Sequence, residues 1–324
     1  MTRSGSAFSV PVDPPPPGTP WTVLQLLRWS SSYLDEKGVP GSRLDAEHLL
    51  ASILGMDRLQ LYLHFDRPVS QRELERFKPL LLARARRKPI QYILGRTGFR
   101  ELELKTDSRA LIPRPETELL VEAVLERVRG WDVGGLRALD VGTGSGAIAL
   151  SLALEGPFER VVGTDSSREA LELAAENAEA CTLQERVELR WGRAFDPVRE
   201  GESYHVVVSN PPYVADGELE GLEPEVRDWE PREALAPGGD GLSVLRELVR
   251  GAGAVLEHGG LLALEVGSGQ AEVVAEWLRG APGFGVPVVL KDHSRHDRIV
   301  VASRTGALAS DVNAGPPGER PAAS

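Results

Sequence analysis

The sequence predicts a small helical domain followed by a mostly parallel, doubly wound α/β sheet, and three observations carry that prediction. From about residue 136 onward, short β-branched or apolar runs alternate with segments of helical periodicity. A glycine-rich turn, Asp140-Val141-Gly142-Thr143-Gly144-Ser145-Gly146-Ala147, joins one of those runs to a helix. A run of three valines, Val206 to Val208, continues to Ser209 and stops at Asn210-Pro211-Pro212-Tyr213. Three consecutive buried valines suit a strand covered on both faces of a parallel sheet.

The chain has 324 residues, enough for about two domains with a sizeable core. Hydrophobic residues make up 41% and charged residues 26%, which fits neither a disordered nor a membrane class. The net charge of -11 disfavours wholesale nucleic-acid binding but leaves room for a local basic face. Cys181 is the single cysteine, so no internal disulfide forms, and the thiol reads as reduced and cytosolic. No apolar stretch reaches membrane-spanning length, and no apolar leader precedes Pro14 to Pro17. A cytoplasmic protein with no membrane partner is expected.

Residues 1–19 are small, polar and proline-rich and are expected to form a disordered tail. A helical domain over 20–88 follows. Val23, Leu26, Leu27 and Leu34 share a helical face that Gly38 and Pro40 terminate. Ser42 and Asp45 offer capping oxygens for a second helix through Leu49, Leu50 and Ile53, with Gly55 beyond it. Leu59 to Leu63 predicts a short third helix. Ser70 with Glu73 is a capping box for a helix through Phe77 and Leu81 that Pro79 should kink or interrupt. Nine Lys or Arg against two Glu between Ser70 and Arg100 read either as a partner surface or, more plainly, as a solvated helix face.

Over 89–112 the pattern predicts a linking hairpin. Ile90 to Leu94 and Glu101 to Lys105 are its strands, with Gly95 and Gly98 between them and Phe99 near the tip. Pro113 and Pro115 then hold Arg114 extended, and Thr117 can cap the helix through Leu119, Leu120 and Val124. The sheet domain is expected over 113–303. Its strands are predicted at Leu136 to Val141, Arg160 to Asp165, Val187 to Arg190, Tyr204 to Ser209, Leu261 to Val266, Val286 to Leu290 and Arg298 to Ala302, with helices between them. Residues 304–324 return to Gly, Ala, Pro and Ser and predict a second tail.

The glycine turn offers backbone donors at a helix N-terminus, and Asp165 closes the next strand where it could accept from a ribose diol. An adenosine-containing cofactor follows from this, with a nicotinamide dinucleotide as one option. A dehydrogenase needs a proton-handling His, Lys or Tyr, and the six histidines form no such arrangement. Asn-Pro-Pro-Tyr suits another reaction. The Asn210 side-chain oxygen and the Pro211 carbonyl can accept both hydrogens of a planar amide or aromatic amine, leaving its nitrogen aimed at a methyl donor. Pro212 stiffens the turn, and Tyr213 can pack on the planar group. No metal is required. His293 and His296 beside Asp292 and Asp297 lack a complete ligand set and read as a solvated loop.

These segments together resemble the release factor glutamine methyltransferases, the PrmC/HemK family, over about Trp21 to Ser303. The resemblance rests on Arg43 to Glu47, Pro89 to Gly95, Leu111 to Glu118, Asp140 to Ala147, Asn210 to Tyr213, Glu230-Pro231 with Ala234-Leu235, and Leu264 to Gly267. It implies a class I S-adenosylmethionine-dependent methyltransferase fold with a seven-stranded sheet, and an N-terminal domain that docks the release factor. It further implies N5-methylation of the glutamine in the Gly-Gly-Gln loop of class I peptide chain release factors. S-adenosyl-L-methionine is the implied donor and S-adenosyl-L-homocysteine the product.

Carried over by position, the resemblance makes Gly142, Thr143, Gly144, Ser145, Gly146, Asp165, Ala194 and Asn210 cofactor contacts. Asn210, Pro211 and Tyr213 become catalytic, and Pro212, Phe99 and Arg114 join them around the substrate glutamine. One departure is visible: Gly192-Arg193-Ala194-Phe195 stands where the family often has an acidic residue near the adenine, and Arg193 cannot accept from an amino group. Asn-Pro-Pro-Tyr is shared with adenine-directed enzymes, so an adenine-N6 nucleic-acid methyltransferase is the alternative. A nicotinamide oxidoreductase and a noncatalytic binding module are the readings from other classes.

Overall fold

The computed structural model describes Pro16 and residues 19–308; the two expected tails lie largely outside the described residues. The chain divides into two units, one running to Gly95 and taking in Glu223–Trp229, the other comprising Arg96–Leu222 and the chain from Glu230 onward.

In the helical unit, α1 (Val23–Glu36), α2 (Ser42–Leu54), α3 (Arg58–Leu63), α4 (Gln71–Ala85) and α5 (Ile90–Leu94) surround a core of Leu26, Leu34, Leu49, Leu50, Leu61, Phe77 and Leu81. Thr22, Asp57 and Ser70 each open a helix with a reciprocal capping box, so orphan donors at three N-termini are satisfied locally. Helix α2 differs from expectation. Its N-cap is Gly41 at φ +69°, without a side-chain cap, and Asp45 is buried and accepts from Arg84 Nε instead. Helix α4 runs through Pro79 without interruption; the ring removes one ladder bond, while the capped start and the buried Phe77 and Leu81 retain the helix.

Ile90–Leu94 is helical, not the first strand of a hairpin. Gly95 at φ +75° closes it by donating to the Gln91 carbonyl at 2.7 Å, and a short, mostly apolar segment is equally compatible with a half-buried helical turn. Within this unit Glu225, from the short helix Pro224–Arg227, accepts from Arg84 and Arg87. Arg84 is only 4% exposed, so it is a guanidinium held between Asp45 and Glu225. Two of the basic residues between Ser70 and Arg100 therefore neutralise carboxylates of their own unit.

The second unit opens with a hairpin of β1 (Arg96–Phe99) and β2 (Leu102–Lys105), in which Phe99 pairs with Leu102. Its turn is Arg100-Glu101, with Arg100 at φ +50° and its guanidinium on Glu122 and Glu155. Helix α6 (Pro115–Val128) leads to the sheet: β3 (Arg137–Val141), α7 (Ala147–Glu155), β4 (Arg160–Asp165), α8 (Arg168–Ala180), β5 (Val187–Trp191), β6 (Tyr204–Ser209), α9 (Ser243–Val255), β7 (Leu256–Glu265), α10 (Ala271–Gly280), β8 (Val288–Lys291) and β9 (Asp297–Ser303).

Strand order is β5-β4-β3-β6-β7-β9-β8. The first five are parallel neighbours, and β9 runs antiparallel to both β7 and β8. Val206 and Val208 face a core with Leu120, Val124 and Ile148, whereas Val207 faces Leu245, Leu248 and Val274. Both sheet faces are thus covered, which is why the central strands read as continuous apolar runs. The fold also continues past Ser303: Arg304 N donates to Gly260 O at 2.7 Å and Thr305 N to Gly283 O at 2.8 Å, so these two residues, expected in the tail, are tied to the sheet unit.

Candidate active site

The chain leaves β3, winds outward through β4 and β5, and returns to the other side of β3 as β6. A reversal of this kind opens a crevice at the strand carboxyl ends, where open α/β sheets bind ligands. Asp140 lies in register with Val208, and Ser209 Oγ donates to the Val141 carbonyl at 2.6 Å. The glycine turn and Asn-Pro-Pro-Tyr, nearly seventy positions apart, are therefore held side by side.

The glycine turn is shaped by backbone that other residues adopt reluctantly. Gly142, Gly144 and Gly146 have φ of +75°, +55° and +85°, and a Cβ on Gly142 would meet nothing within 4 Å. Behind the turn, fully buried Asp140 accepts from Thr143 Oγ1 at 2.6 Å and Ala149 N at 3.1 Å, fastening the turn to α7. Both bonds use one oxygen; the other is buried without a partner. Burial pushes the Asp140 carboxyl up to about 7 despite those two bonds.

The folded state consequently holds a proton on Asp140 that the unfolded chain releases near pH 4, and stability from this group falls as pH rises from about 4 to about 7. Asp140→Asn removes the titration. Its stability relative to wild type is expected to rise across that window by roughly 4 kcal/mol at most, converting the shift at 1.36 kcal/mol per unit. Parallel denaturant melts at pH 4.5 and 7.5 check this, and an unchanged difference would show that Asp140 ionises normally.

At the end of β4, Asp165 Oδ2 accepts from Gly144 N and Oδ1 from Ser167 N, both at 2.8 Å. Burial raises its pKa, and these amide donors oppose the rise. Gly142, Thr143, Gly144, Ser145, Asp165, Asn210, Pro212, Arg114 and Thr117 line one cavity of about 470 Å³. A larger cavity of about 720 Å³, lined by Arg246, Trp277 and Phe284, contains none of the expected residues.

At the end of β6, Asn210 Nδ2 donates to Thr117 Oγ1 at 2.9 Å, and Thr117 Oγ1 donates to Glu265 Oε2 at 2.8 Å. The Tyr213 hydroxyl reaches Glu265 Oε1 at 3.4 Å. Glu265 closes β7 at 1% exposure, and burial pushes its carboxyl up to about 7; the Tyr213 phenol is pushed up to about 12, by burial first and the Glu265 charge second. Arg114 donates to buried Glu230, which also accepts from Ile112 N at 3.2 Å. The Tyr213 carbonyl is fixed by Gln270 Nε2 at 2.9 Å. The turn is therefore anchored from α6, β7 and the start of α10.

Comparison with known proteins decides the family. Residues 25–95 match the family described as "PrmC N-terminal domain", and residues 115–240 match "Methyltransferase small domain". A protein of Geobacter sulfurreducens named "Release factor glutamine methyltransferase" is 42% identical over 280 residues, covering 86% of this chain and 96% of that one. One of Cereibacter sphaeroides with the same name is 41% identical, covering 85% and 96%. The chain belongs to the release factor glutamine methyltransferase family. Among solved structures, the hMettl16 catalytic domain in complex with MAT2A 3'UTR hairpin 6 aligns with a TM-score of 0.53 at 16% identity, covering 71% of this chain and 84% of that one; this likeness concerns the fold alone.

Membership of the glutamine methyltransferase family removes the support for a nicotinamide oxidoreductase and does not favour the adenine-directed alternative. Of the family positions named from the sequence, five stand away from the cavity lining. Phe99 is 1% exposed within the apolar core beside Leu102, Leu104 and Leu120. Gly146 is the N-cap of α7, Pro211 is buried, and Tyr213 packs partly against the α9 and α10 side of the core. Ala194, at φ +44°, accepts from Thr164 Oγ1 at 3.5 Å, while neighbouring Arg193 does line the cavity and pairs with Glu247.

Sequence reasoning assigned Thr117 to capping, but the N-cap of α6 is Arg114 and the Thr117 hydroxyl points to Glu265. Glu265 was the available signal: an acid ending the apolar run Leu261 to Leu264. Among the described residues no group of three or more His, Cys, Asp or Glu could hold a metal ion, and no helix is long and apolar enough to cross a membrane.

Proposed function

We propose that this enzyme transfers a methyl group from S-adenosyl-L-methionine to the side-chain amide nitrogen of the glutamine in the Gly-Gly-Gln loop of class I peptide chain release factors, in the cytoplasm, without a metal. The observation that carries this reading is the Asn210 amide, bonded through its nitrogen to Thr117 so that its oxygen is left as an acceptor, at the edge of a cavity whose other wall is the glycine turn. The donor fits that cavity: open space over Gly142, backbone amides at positive φ, and a carboxylate at the end of β4 meet the needs of an adenosine with a charged tail.

When bound, S-adenosyl-L-methionine supplies an electrophilic methyl on a sulfonium and is left as S-adenosyl-L-homocysteine. The chain's own residues orient the nucleophile. Asn210 Oδ1 and the Pro211 carbonyl accept the two amide hydrogens of the substrate glutamine, which turns the nitrogen lone pair toward the methyl. The same acceptors favour the positive charge that develops on nitrogen as the N–C bond forms and the S–C bond breaks. One of the two hydrogens then leaves as a proton. Pro212 rigidifies the turn, Tyr213 packs behind it, and Arg114 on Glu230 closes the side of the cavity. The 20–88 segment is proposed as the release factor docking domain.

Mass spectrometry of the Gly-Gly-Gln peptide from a release factor incubated with the enzyme and donor tests the assignment. A single added methyl on the glutamine side chain is expected, and labelled DNA with an unlabelled release factor would overturn it. For the donor site, Asp165→Ala is expected to weaken donor binding by about 10- to 100-fold, since charge-assisted hydrogen bonds contribute roughly 1.5–3 kcal/mol each. Titration calorimetry with S-adenosyl-L-homocysteine measures it; unchanged affinity would remove Asp165 from the cofactor site.

A further inference from the structure

The line Asn210–Thr117–Glu265–Tyr213 is a polar network running from the half-buried proposed acceptor to buried Thr117 and Glu265, and its polarity is set from the buried end. We propose that Thr117 and Glu265 are positioning residues that dictate which way the Asn210 amide faces, so that Oδ1 and not Nδ2 is presented to the substrate nitrogen. This rests on the glutamine-methylating reading of the site.

An asparagine amide is nearly symmetric in shape but opposite in chemistry at its two ends, and nothing in an isolated side chain prefers one orientation. Here the choice is made in two steps. An ionised Glu265 only accepts, so the single hydrogen of the Thr117 hydroxyl must go to Oε2, at 2.8 Å. The hydroxyl is then left with lone pairs alone toward Asn210, and only an N–H end fits at 2.9 Å. A reversed amide would set oxygen against oxygen beside buried Thr117 and leave Nδ2 toward the substrate, so that one of the two substrate N–H groups would face a donor instead of an acceptor.

Residues far apart in sequence are brought together for this. Thr117 is in the first turn of α6, Glu265 at the carboxyl end of β7, and Leu264 lies in register with Ser209, the residue before Asn210. The charged and titratable groups that act on Glu265 are Arg298 from β9, which favours its anion, Glu116 from α6, which opposes it, and Tyr213, whose hydroxyl donates to Oε1. Burial dominates them and raises the carboxyl to about 7. Protonation gives Glu265 a hydrogen of its own to donate, so Thr117 is free to turn and the amide is no longer held one way.

The test uses the full chain, a Gly-Gly-Gln release factor substrate and three variants: Thr117→Val, Thr117→Ser and Glu265→Gln. Thr117→Val keeps the shape without the hydroxyl and is expected to lower kcat by about 10- to 100-fold, the effect of an unsatisfied, misoriented polar group. Donor affinity should be preserved. Thr117→Ser restores the hydroxyl and is expected within about threefold of wild type, an estimate that follows from the retained hydrogen bond. The wild-type kcat is expected to decline as pH falls through about 7, and Glu265→Gln to lose that decline.

A merely structural bond from Thr117 to Glu265 would change melting temperature in both Thr117 variants without separating their kcat values. Equal kcat in folded Thr117→Val and Thr117→Ser therefore overturns the positioning role. Should Thr117→Val fail to fold, the pH profile decides: the same acid limb in wild type and Glu265→Gln also overturns it. A wild type inactive on the release factor glutamine overturns instead the substrate reading beneath it.

Discussion

Asn210→Ala is expected to lower the methyl-transfer rate by about 100- to 1000-fold, the usual effect of removing one preorganised group that stabilises transition-state charge, while the variant is expected still to bind S-adenosyl-L-homocysteine. The separation follows from the architecture. Donor contacts are expected from the glycine turn after β3 and from Asp165 at the end of β4, whereas the proposed acceptor pair for the glutamine follows β6. Truncation takes away the Oδ1 acceptor and unpairs Thr117 Oγ1, whose other contact, to Glu265, is intact. The prolines that follow keep the turn in shape, so the loss is in orientation of the nucleophile and not in folding. Single-turnover rates with calorimetry on the same preparation separate the two quantities. A variant that retains wild-type turnover would remove Asn210 from the mechanism.

A second large effect is expected at a residue that never faces the cavity. Gly241 has φ +77°, and a Cβ built there would lie 2.3 Å from the Tyr213 carbonyl oxygen, 3.1 Å from Ala215 N and 3.1 Å from Gln270 Nε2. Two of these are backbone atoms of the segment that follows Asn-Pro-Pro, and the third is the side chain that holds the Tyr213 carbonyl. Gly241→Ala must displace that segment, so it is expected to cost roughly 2–4 kcal/mol from left-handed backbone and overpacking together, and to lower kcat with it.

Gly269 supplies the control. It has φ +78° but nothing within 4 Å of a built Cβ, so Gly269→Ala should show only the backbone cost of about 1–2 kcal/mol. Thermal melts of the two variants side by side check the difference; coincident melting would mean that the Tyr213 segment yields freely.

How much of this was legible in the chain depended on whether a residue type was forced locally. Val206 to Val208 and Asn210-Pro211-Pro212 announce a buried strand and a stiff end because valine and proline restrict their own backbone, and the structure places both where expected. Gly142, Gly144 and Gly146 announce a turn for the opposite reason, since glycine alone adopts positive φ freely, and each does so here. Ile90 to Leu94 misled because a five-residue, mostly apolar segment is too short for a period to be read, and only Gly95, as a left-handed C-cap, favoured the helix. Thr117 misled because a threonine near a helix start usually caps it; its partner Glu265 is 148 positions away, and no local pattern links them. Phe99 was placed by family position, yet its aromatic ring serves the core that the hairpin shares with α6.

The seven residues from Glu223 to Trp229 belong to the helical unit although they are encoded deep within the sheet unit. Genetic modularity is constrained by that arrangement. A gene fragment beginning at Arg96 would still specify Glu225 and Trp229, now without Arg84, Arg87 and the Lys88 ammonium that sits over the Trp229 ring. A fragment ending at Gly95 would leave Arg84 buried against Asp45 alone, with its second carboxylate missing. Exchanging the N-terminal unit between relatives, whether by recombination or by design, therefore means carrying two non-contiguous pieces together, and a graft at a single junction would pair guanidiniums from one lineage with carboxylates from another.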